Sequence, residues 1–282
     1  MILRRALLLA PLAAPALAQS RPVLVASFSI LGDLVRRVAG DAAEVRTIAG
    51  PEVDAHHFQP RPSHAEALRG ATHAFQNGWG FDDWFARLAR GAGGNARMVT
   101  VTEGLPARPV RGGGHSHGGS DPHAWQDVSA ARHYIRRIAQ ATGLDAAAQE
   151  ARLAELDAWV KAEIGRVPEA RRVVVTSHDA FGWFAAAYGV RFLAPQGVST
   201  SAEPSAQQVA NLIRQLRAGG IRALFMENLT NPATLNRVAA EAGVQVTGRL
   251  YADALSPPDG PAADYEAMMR HNVSLLVRGM LA

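Results

Sequence analysis

The chain has 282 residues, a formal net charge of +4 and no cysteine, which excludes disulfides, thiolate metal ligands and a lipid-modified N-terminal cysteine. An exported chain without disulfides has to be stabilised by its hydrophobic core. The 29 basic residues are spread among acidic residues and alanines. Nucleic-acid binding needs a concentrated basic stripe, so nucleic acid is excluded as a partner.

The N-terminus has the features of a secretory signal peptide. Arg4 and Arg5 precede an apolar run from residue 6 to residue 14, and Ala16-Leu17-Ala18 fits the small-x-small cleavage pattern. This run is about half the ~20 residues that cross a bilayer, so a permanent anchor is not expected. We predict that residues 1–18 are removed near Ala18, by the general secretory or the twin-arginine route. The remaining 264 residues then carry a formal charge of +2, because two arginines are lost, and are expected in the periplasm.

Strands and helices alternate from residue 22 to residue 101. Apolar, β-branched runs predict strands at residues 22–28, 45–48, 71–76 and 99–101. Amphipathic spacing predicts helices at residues 29–38 and 81–90. The pattern from Ser63 to Glu66 fits a capping box and predicts a further helix that begins at Ser63. Such alternation is typical of parallel α/β organisation.

A glycine-rich loop at residues 112–120 interrupts this alternation and contains His115 and His117. Two helices follow, at residues 129–142 and 146–167, and the second has no glycine before Gly165, which is typical of a rigid spacer. The alternation then resumes, with strands at residues 172–176, 221–226 and 244–250 and helices at residues 205–218, 232–242 and 262–280.

We therefore predict an α/β fold with two parallel-sheet lobes bridged by one long rigid helix. The N-terminal lobe spans residues 19–145, the linking helix residues 146–167 and the C-terminal lobe residues 168–282. A length of 264 residues suits two domains of ordinary size. Ligands of open parallel sheets bind beyond the carboxyl ends of the strands, which here meet in the cleft between the lobes.

Four residues near these strand ends are suited to binding a metal: His56, His123, His178 and Asp253. Three imidazoles and a carboxylate are ligand types of a tetrahedral zinc site. The four are 67, 55 and 75 residues apart, so no single helix or hairpin can hold them. They can meet only where several loops converge on one cleft, with two ligands from each lobe.

Several segments resemble, in the same order, the zinc/manganese ABC-transporter binding proteins, the family that includes the ZnuA-like zinc receptors. Single motifs are short, but together they extend over nearly the whole mature chain. The matching segments are Asp54-Ala-His-His-Phe-Gln-Pro60, Asn77-Gly-Trp-Gly-Phe-Asp-Asp-Trp84, Asp121-Pro-His-Ala-Trp-Gln-Asp127, Ser177-His-Asp-Ala-Phe-Gly-Trp-Phe184, Ser201-Ala-Glu-Pro-Ser205 and Tyr265-x-x-Met-Met-x-x-Asn272.

The resemblance implies two α/β lobes with a metal buried between them, and it makes His56, His123 and His178 the imidazole ligands. Asp253 is implied as the fourth ligand, although its segment lacks the family's usual Asp-Pro-Leu run. The family's role is capture of a divalent metal for an ABC-type membrane permease, and we expect a monomeric receptor of this kind.

Several neighbouring residues have supporting or competing roles. His57 competes with His56 for the first ligand position, and Asp253 could instead be a loop or helix-capping acid. Asp54 and Asp121 each precede a ligand by two positions and could orient the loops or the rings. Glu227 is a reserve carboxylate that we expect to accept hydrogen bonds. We expect ordinary surface or capping roles for the remaining histidines outside the glycine loop, which are His64, His73, His133 and His271.

The ligand types favour zinc. Imidazole suits zinc, whereas manganese prefers more carboxylates, and the family's manganese receptors often have glutamate where this chain has His178. Manganese or iron remains the alternative cargo. Ligand histidines must be neutral, so metal binding is expected to weaken as the pH falls through about 6.5. His115 and His117 either collect metal before transfer or belong to a plain linker.

A different class, a secreted zinc hydrolase, is the alternative function. Such an enzyme needs an open coordination position, a bound water and a general base, for which Glu227 is the candidate. The chain has no His-Glu-x-x-His motif and no nucleophile elbow, and two ligands per lobe suit capture and release better than chemistry. A surface adhesin is disfavoured by the lack of an anchoring cysteine.

Overall fold

The computed structural model describes residues 21–110, 119–200 and 203–282. The predicted signal peptide lies outside these ranges, as do His115 and His117. Within them, no helix has both the length and the apolar character needed to span a bilayer.

The first sheet is built entirely from parallel strands, in the order β2-β1-β3-β4. The central strand β1 has five buried residues of six, because helices cover both faces of the sheet. The strands are β1 (Val23–Phe28), β2 (Glu44–Ala49), β3 (His73–Gln76) and β4 (Arg97–Thr100), and the helices are α1 (Ser29–Ala39), α2 (Pro62–Arg69) and α3 (Asp83–Gly91).

The second sheet is also all parallel, in the order β6-β5-β7-β8. Two parallel sheets with surrounding helices confirm the predicted α/β class. The strands are β5 (Val173–Val175), β6 (Arg191–Leu193), β7 (Leu224–Glu227) and β8 (Val246–Leu250), and the helices are α4 (Val128–Thr142), α5 (Ala147–Gly165), α6 (Gly182–Tyr188), α7 (Ala206–Gly219), α8 (Pro232–Ala242) and α9 (Tyr265–Leu281).

The long helix α5 connects the two halves of the chain. It packs against both α4 and α9. Four of its residues point into the core: Leu153, Leu156, Val160 and Ile164. Their spacing of three or four residues puts them on one face of the helix. The predicted spacer is therefore held in place by packing along its length.

The last helix, α9, ties the end of the chain to the first half. Asp264 caps α9 by accepting from the Ala267 N–H and also accepts from the Arg37 guanidinium of α1 at 2.8 Å. Asp33, also on α1, accepts from Arg37 and from the Tyr265 N–H at 3.0 Å. The Arg37–Asp264 and Tyr265–Asp33 hydrogen bonds join residues 227 and 232 positions apart.

Two local predictions need correction. Helix α2 does not begin with the predicted Ser63–Glu66 capping box. Its N-cap is Arg61, Pro62 occupies the first turn, and the His64 ring accepts the Arg61 N–H. Proline is favoured at the first helical position, where its missing N–H costs nothing. Helix α6 and strand β6 are not predicted from the sequence, because they are too short to show periodicity.

A buried carboxylate organises the turn after β3. Asp82 accepts from the Asn77 and Gly78 N–H groups at 2.7 and 3.0 Å and from the Ser27 hydroxyl at the end of β1. Asn77 in turn donates to the Pro122 carbonyl at 2.9 Å. The network therefore runs from the sheet to the residue before His123.

Asp82 is expected to make stability depend on pH. Burial raises its pKa from 3.8 to about 6, against the three hydrogen bonds that lower it. Between pH 3.8 and about pH 6, Asp82 is ionised in the unfolded chain but still protonated in the folded protein. The free energy of unfolding therefore falls as the pH rises through this range and stops changing above about pH 6. Two pKa units correspond to roughly 3 kcal/mol. Urea unfolding at pH 4 to 7 should show this loss in the wild type relative to Asp82→Asn.

Asp41→Asn is the control, because Asp41 is an exposed carboxylate in the turn between α1 and β2 and is not among the groups that shift the pKa of Asp82. Asp41→Asn should follow the wild-type pH profile. A constant stability difference between wild type and Asp82→Asn from pH 4 to pH 6 would contradict the assignment.

Candidate metal centre

The structure brings the side chains of His56, His123, His178 and Asp253 together. One ligand atom from each lies within 4.8 Å of the other three. The Asp253 carboxylate is 3.5 Å from His56 Nε2, 3.4 Å from His123 Nε2 and 3.1 Å from His178 Nε2. The Nε2 atoms of His56 and His123 are 3.4 Å apart. Three imidazole nitrogens and one carboxylate thus surround a common centre.

The topology of the sheets explains this convergence. His56 lies in the loop after β2, and His123 immediately precedes a 3₁₀ turn at Ala124–Gln126. His178 follows β5 and Asp253 follows β8, and both strands flank β7 in the second sheet. Because parallel strands share one carboxyl edge, the two side chains meet there. Each half of the chain contributes two of the four.

Buried atoms without hydrogen-bond partners lie at the centre. Asp253 and His178 are 1% exposed and His123 is fully buried. Within the described ranges, both Asp253 carboxylate oxygens and His178 Nε2 have no hydrogen-bond partner. The close approaches to the imidazoles do not have hydrogen-bond geometry, and a buried carboxylate oxygen that accepts no hydrogen bond is costly. A divalent cation in the middle would satisfy all three atoms, so the donor set fits a metal ion.

Two further carboxylates fix the orientation of the rings. Asp121 Oδ1 lies 2.8 Å from His123 Nδ1 and accepts from the His123 N–H at 3.0 Å. Glu227 Oε2 pairs with His178 Nδ1, and its Oε1 accepts from the N–H groups of Ser177 and His178. A ring that donates from Nδ1 leaves its Nε2 lone pair for a metal. Both Nε2 atoms do face the centre.

Burial and charge oppose each other in the titration of this cluster. Burial would lower the pKa of His178, but the carboxylates of Glu227 and Asp253 hold it well above its usual range. Burial would raise the pKa of Asp253, but His178 and His123 hold it well below. Burial, aided by His123 and His178, lowers the pKa of His56. Asp253 therefore favours a positive charge next to it, and a metal competes with the His178 proton for that position.

The loop before His56 is held by Asp54. Its Oδ1 accepts from the His56 N–H, and its Oδ2 accepts from the Thr200 hydroxyl of the second half, both at 2.8 Å. The His56 side chain is 5% exposed, whereas the competing His57 is exposed at the surface. His57 is not part of the cluster.

The residues that hold the Asp253 segment are not predicted from the sequence. The carbonyl of Ala252 accepts from Trp125 Nε1 at 2.8 Å and from Gln126 Nε2 at 2.9 Å. The Asn272 amide of α9 pairs with both the N–H and the carbonyl of Tyr251. Trp125, Gln126 and Asn272 all lie in segments that match the family pattern, so the signal was present. The family pattern does not show which backbone group each of these three side chains contacts.

The four histidines for which surface or capping roles are expected lie outside the metal cluster. His64 caps α2, as described above. His133 Nε2 lies 2.8 Å from the Glu103 carbonyl, and His271 Nε2 lies 2.9 Å from the Arg249 carbonyl. His73 lies on β3, away from the cluster.

Comparison with known proteins adds independent findings. The model of the family described as ZnuA, zinc-uptake complex component A periplasmic, matches residues 24–279. The manganese-binding lipoprotein MntA of Halalkalibacterium halodurans is 29% identical over 268 residues, which cover 91% of this chain and 88% of that protein. The iron-binding protein YfeA of Yersinia pestis is 29% identical over 267 residues, which cover 91% and 85%.

Solved structures share the fold. The periplasmic zinc-binding protein TroA from Treponema pallidum has a TM-score of 0.82 at 26% identity, covering 93% of this chain and 99% of that chain. The manganese-bound periplasmic metal-binding protein from Candidatus Liberibacter asiaticus has a TM-score of 0.80 at 26% identity, covering 92% and 100%. These names refer to zinc and manganese, and the relatives' names to manganese and iron, so the likeness indicates metal binding without specifying the metal.

Proposed function

We propose, since this chain belongs to the ZnuA family of periplasmic metal-uptake components, that it captures a divalent metal ion and delivers it to an ABC-type import permease. One observation carries the proposal. Three imidazole nitrogens face a buried carboxylate whose oxygens have no hydrogen-bond partner among the described residues. The four side chains His56, His123, His178 and Asp253 are the proposed ligands.

We favour zinc as the cargo. Imidazole nitrogens suit zinc, and a single carboxylate is few for manganese, which prefers oxygen ligands. Four protein ligands also suit the tetrahedral geometry of zinc. Manganese and iron remain the alternatives, because relatives named for each are similar along most of the chain.

The site supports transport better than hydrolysis. The hydrolase alternative required Glu227 as a free general base, but its two carboxylate oxygens are occupied by the Ser177 N–H, the His178 N–H and the His178 ring. Four converging protein ligands also leave no open position on a tetrahedral ion. We therefore propose a carrier that works outside the cytoplasm, as a monomer, after removal of residues 1–18.

A competitive titration tests the proposal. The purified apoprotein is expected to bind one zinc ion per chain, at least about 100-fold more tightly than manganese, because three of the four ligands are imidazoles. His56→Ala should weaken zinc binding at least about tenfold by removing a ligand. The matched control is His57→Ala, which removes the exposed neighbouring imidazole and should bind zinc like the wild type.

The outcomes separate the parts of the proposal. Manganese binding as tight as zinc binding would contradict the choice of metal and leave the receptor role intact. Equal losses in the His56 and His57 variants would contradict the ligand assignment. Failure of the wild type to bind any divalent metal would contradict the function itself.

A further inference from the structure

Asp121 is held on several sides, and part of that support comes from the second half of the chain. Its N–H donates to the Arg108 carbonyl at 2.7 Å. Its own carbonyl accepts from Trp183 Nε1 at 2.9 Å, and Trp183 lies on α6, after the linking helix. Asp121 Oδ1 meanwhile holds both the backbone and the ring of His123. A ligand of the first half thus depends on a residue that the second half touches.

Gly182, at the start of α6, lies against the same carboxylate. A Cβ atom on Gly182 would stand 2.4 Å from Asp121 Oδ2 and 3.6 Å from Asp121 Cγ. At a separation under 3.0 Å, either the carboxylate or the backbone of residue 182 has to shift. The backbone of Gly182 is outside the left-handed region, so a side chain is excluded by the contact and not by backbone strain.

We infer that Gly182 is a positioning residue for the metal centre. Its missing side chain leaves the space in which the Asp121 carboxylate holds the His123 ring, so the second half sets the geometry of a first-half ligand. This inference rests on the proposed function. It goes beyond that function by making His123 competent only when the corner at Gly182 and Trp183 is in contact with Asp121.

The chain connection strengthens this coupling. Gly182 follows His178 by four residues, so the segment that supplies one ligand also supports the partner of another. Trp183 is fixed in turn by stacking on Trp79 of the first half, with ring centroids 5.8 Å apart, and by the Arg108 guanidinium 5.0 Å from its ring. The start of α6, at Gly182 and Trp183, is therefore a defined contact between the two halves of the chain.

Zinc affinity of a set of variants tests the inference. Gly182→Ala is expected to weaken zinc binding by about tenfold or more, which is the usual effect of disturbing a residue that orients a metal ligand. Asp121→Ala should weaken it by a similar or larger factor. In the Asp121→Ala background, adding Gly182→Ala should have no further effect, because the carboxylate that the methyl group displaces is gone.

The matched control is Gly197→Ala, because a Cβ at Gly197 meets no atom within 4 Å. Trp183→Phe is a second test, because it removes the indole N–H that donates to the Asp121 carbonyl but keeps an aromatic ring. This variant should bind zinc severalfold more weakly than the wild type. If Gly182→Ala does not fold, Trp183→Phe decides the question. Wild-type affinity in Gly182→Ala, or an equal loss in both backgrounds, would overturn the inference. Absence of zinc binding by the wild type would instead overturn the proposed function.

Discussion

Asp253→Asn is expected to lower zinc affinity at least about 100-fold, or roughly 2.8 kcal/mol. The substitution keeps the shape of the side chain but removes the one carboxylate among the four proposed ligands. That carboxylate is 1% exposed and contacts all three imidazoles. A buried charge opposite a dication is screened little by solvent, so its removal has a large effect. Competition with a chelator of known affinity measures the change.

The matched control for Asp253 is Asp259→Asn, which changes an exposed carboxylate six residues along the chain. Its zinc affinity should equal that of the wild type. If both variants bind zinc like the wild type, Asp253 is a structural acid of the loop and not a ligand.

Two substitutions of Glu227 are expected to have different effects, one on the stability of the protein and the other on its zinc affinity. Glu227→Ala leaves the Ser177 and His178 N–H groups buried without an acceptor, at about 1–3 kcal/mol each. The free energy of unfolding should fall by roughly 3 kcal/mol. Glu227→Gln keeps one oxygen for these donors but presents an amide N–H to His178 Nδ1. The ring then carries its proton on Nε2, which cannot coordinate, and zinc affinity should fall about 10- to 100-fold.

Urea unfolding of the apoprotein and zinc competition measure the two effects separately. Glu241→Gln is the control, because Glu241 is exposed and its ion pair with Arg237 is at the surface. It should change stability by no more than about 0.5 kcal/mol. Unchanged zinc affinity in Glu227→Gln would show that the tautomer of His178 is set by another group.

Much of the fold follows from local pattern. The strand at Val23–Phe28 is apolar except for Ser27, and the helix Pro232–Ala242 begins with proline and ends before glycine, so the sequence predicts both within a residue of their bounds. The predicted capping of α2 is wrong because the local sequence allows two starts: a helix that begins at Pro62 and one that is capped by Ser63. Only the packed structure decides between such alternatives.

The candidate site was predictable at the level of loops. Placing three of the four proposed ligands, His56, His178 and Asp253, after strands needs only the order of strands and helices, together with the family resemblance. The support around the ligands was not predictable, because it depends on contacts between distant segments. The space at Gly182 is set by Asp121, 61 positions away, and the Ala252 carbonyl is shared by side chains 126 and 127 positions away. Sequence periodicity indicates local structure and does not predict contacts between residues so far apart in the chain.

That shared carbonyl bears on how the cargo is released. Trp125 and Gln126 of the first half donate to one acceptor, next to Asp253 of the second half. A small separation of the halves would strip both buried donors of their partner at once, at about 1–3 kcal/mol each. Intermediate separations are therefore unfavourable, and loss of the ion should be cooperative, with a threshold. If the chain is the proposed carrier, an import permease that separates the halves would have to supply this energy, and thermal fluctuations would seldom release the metal before docking.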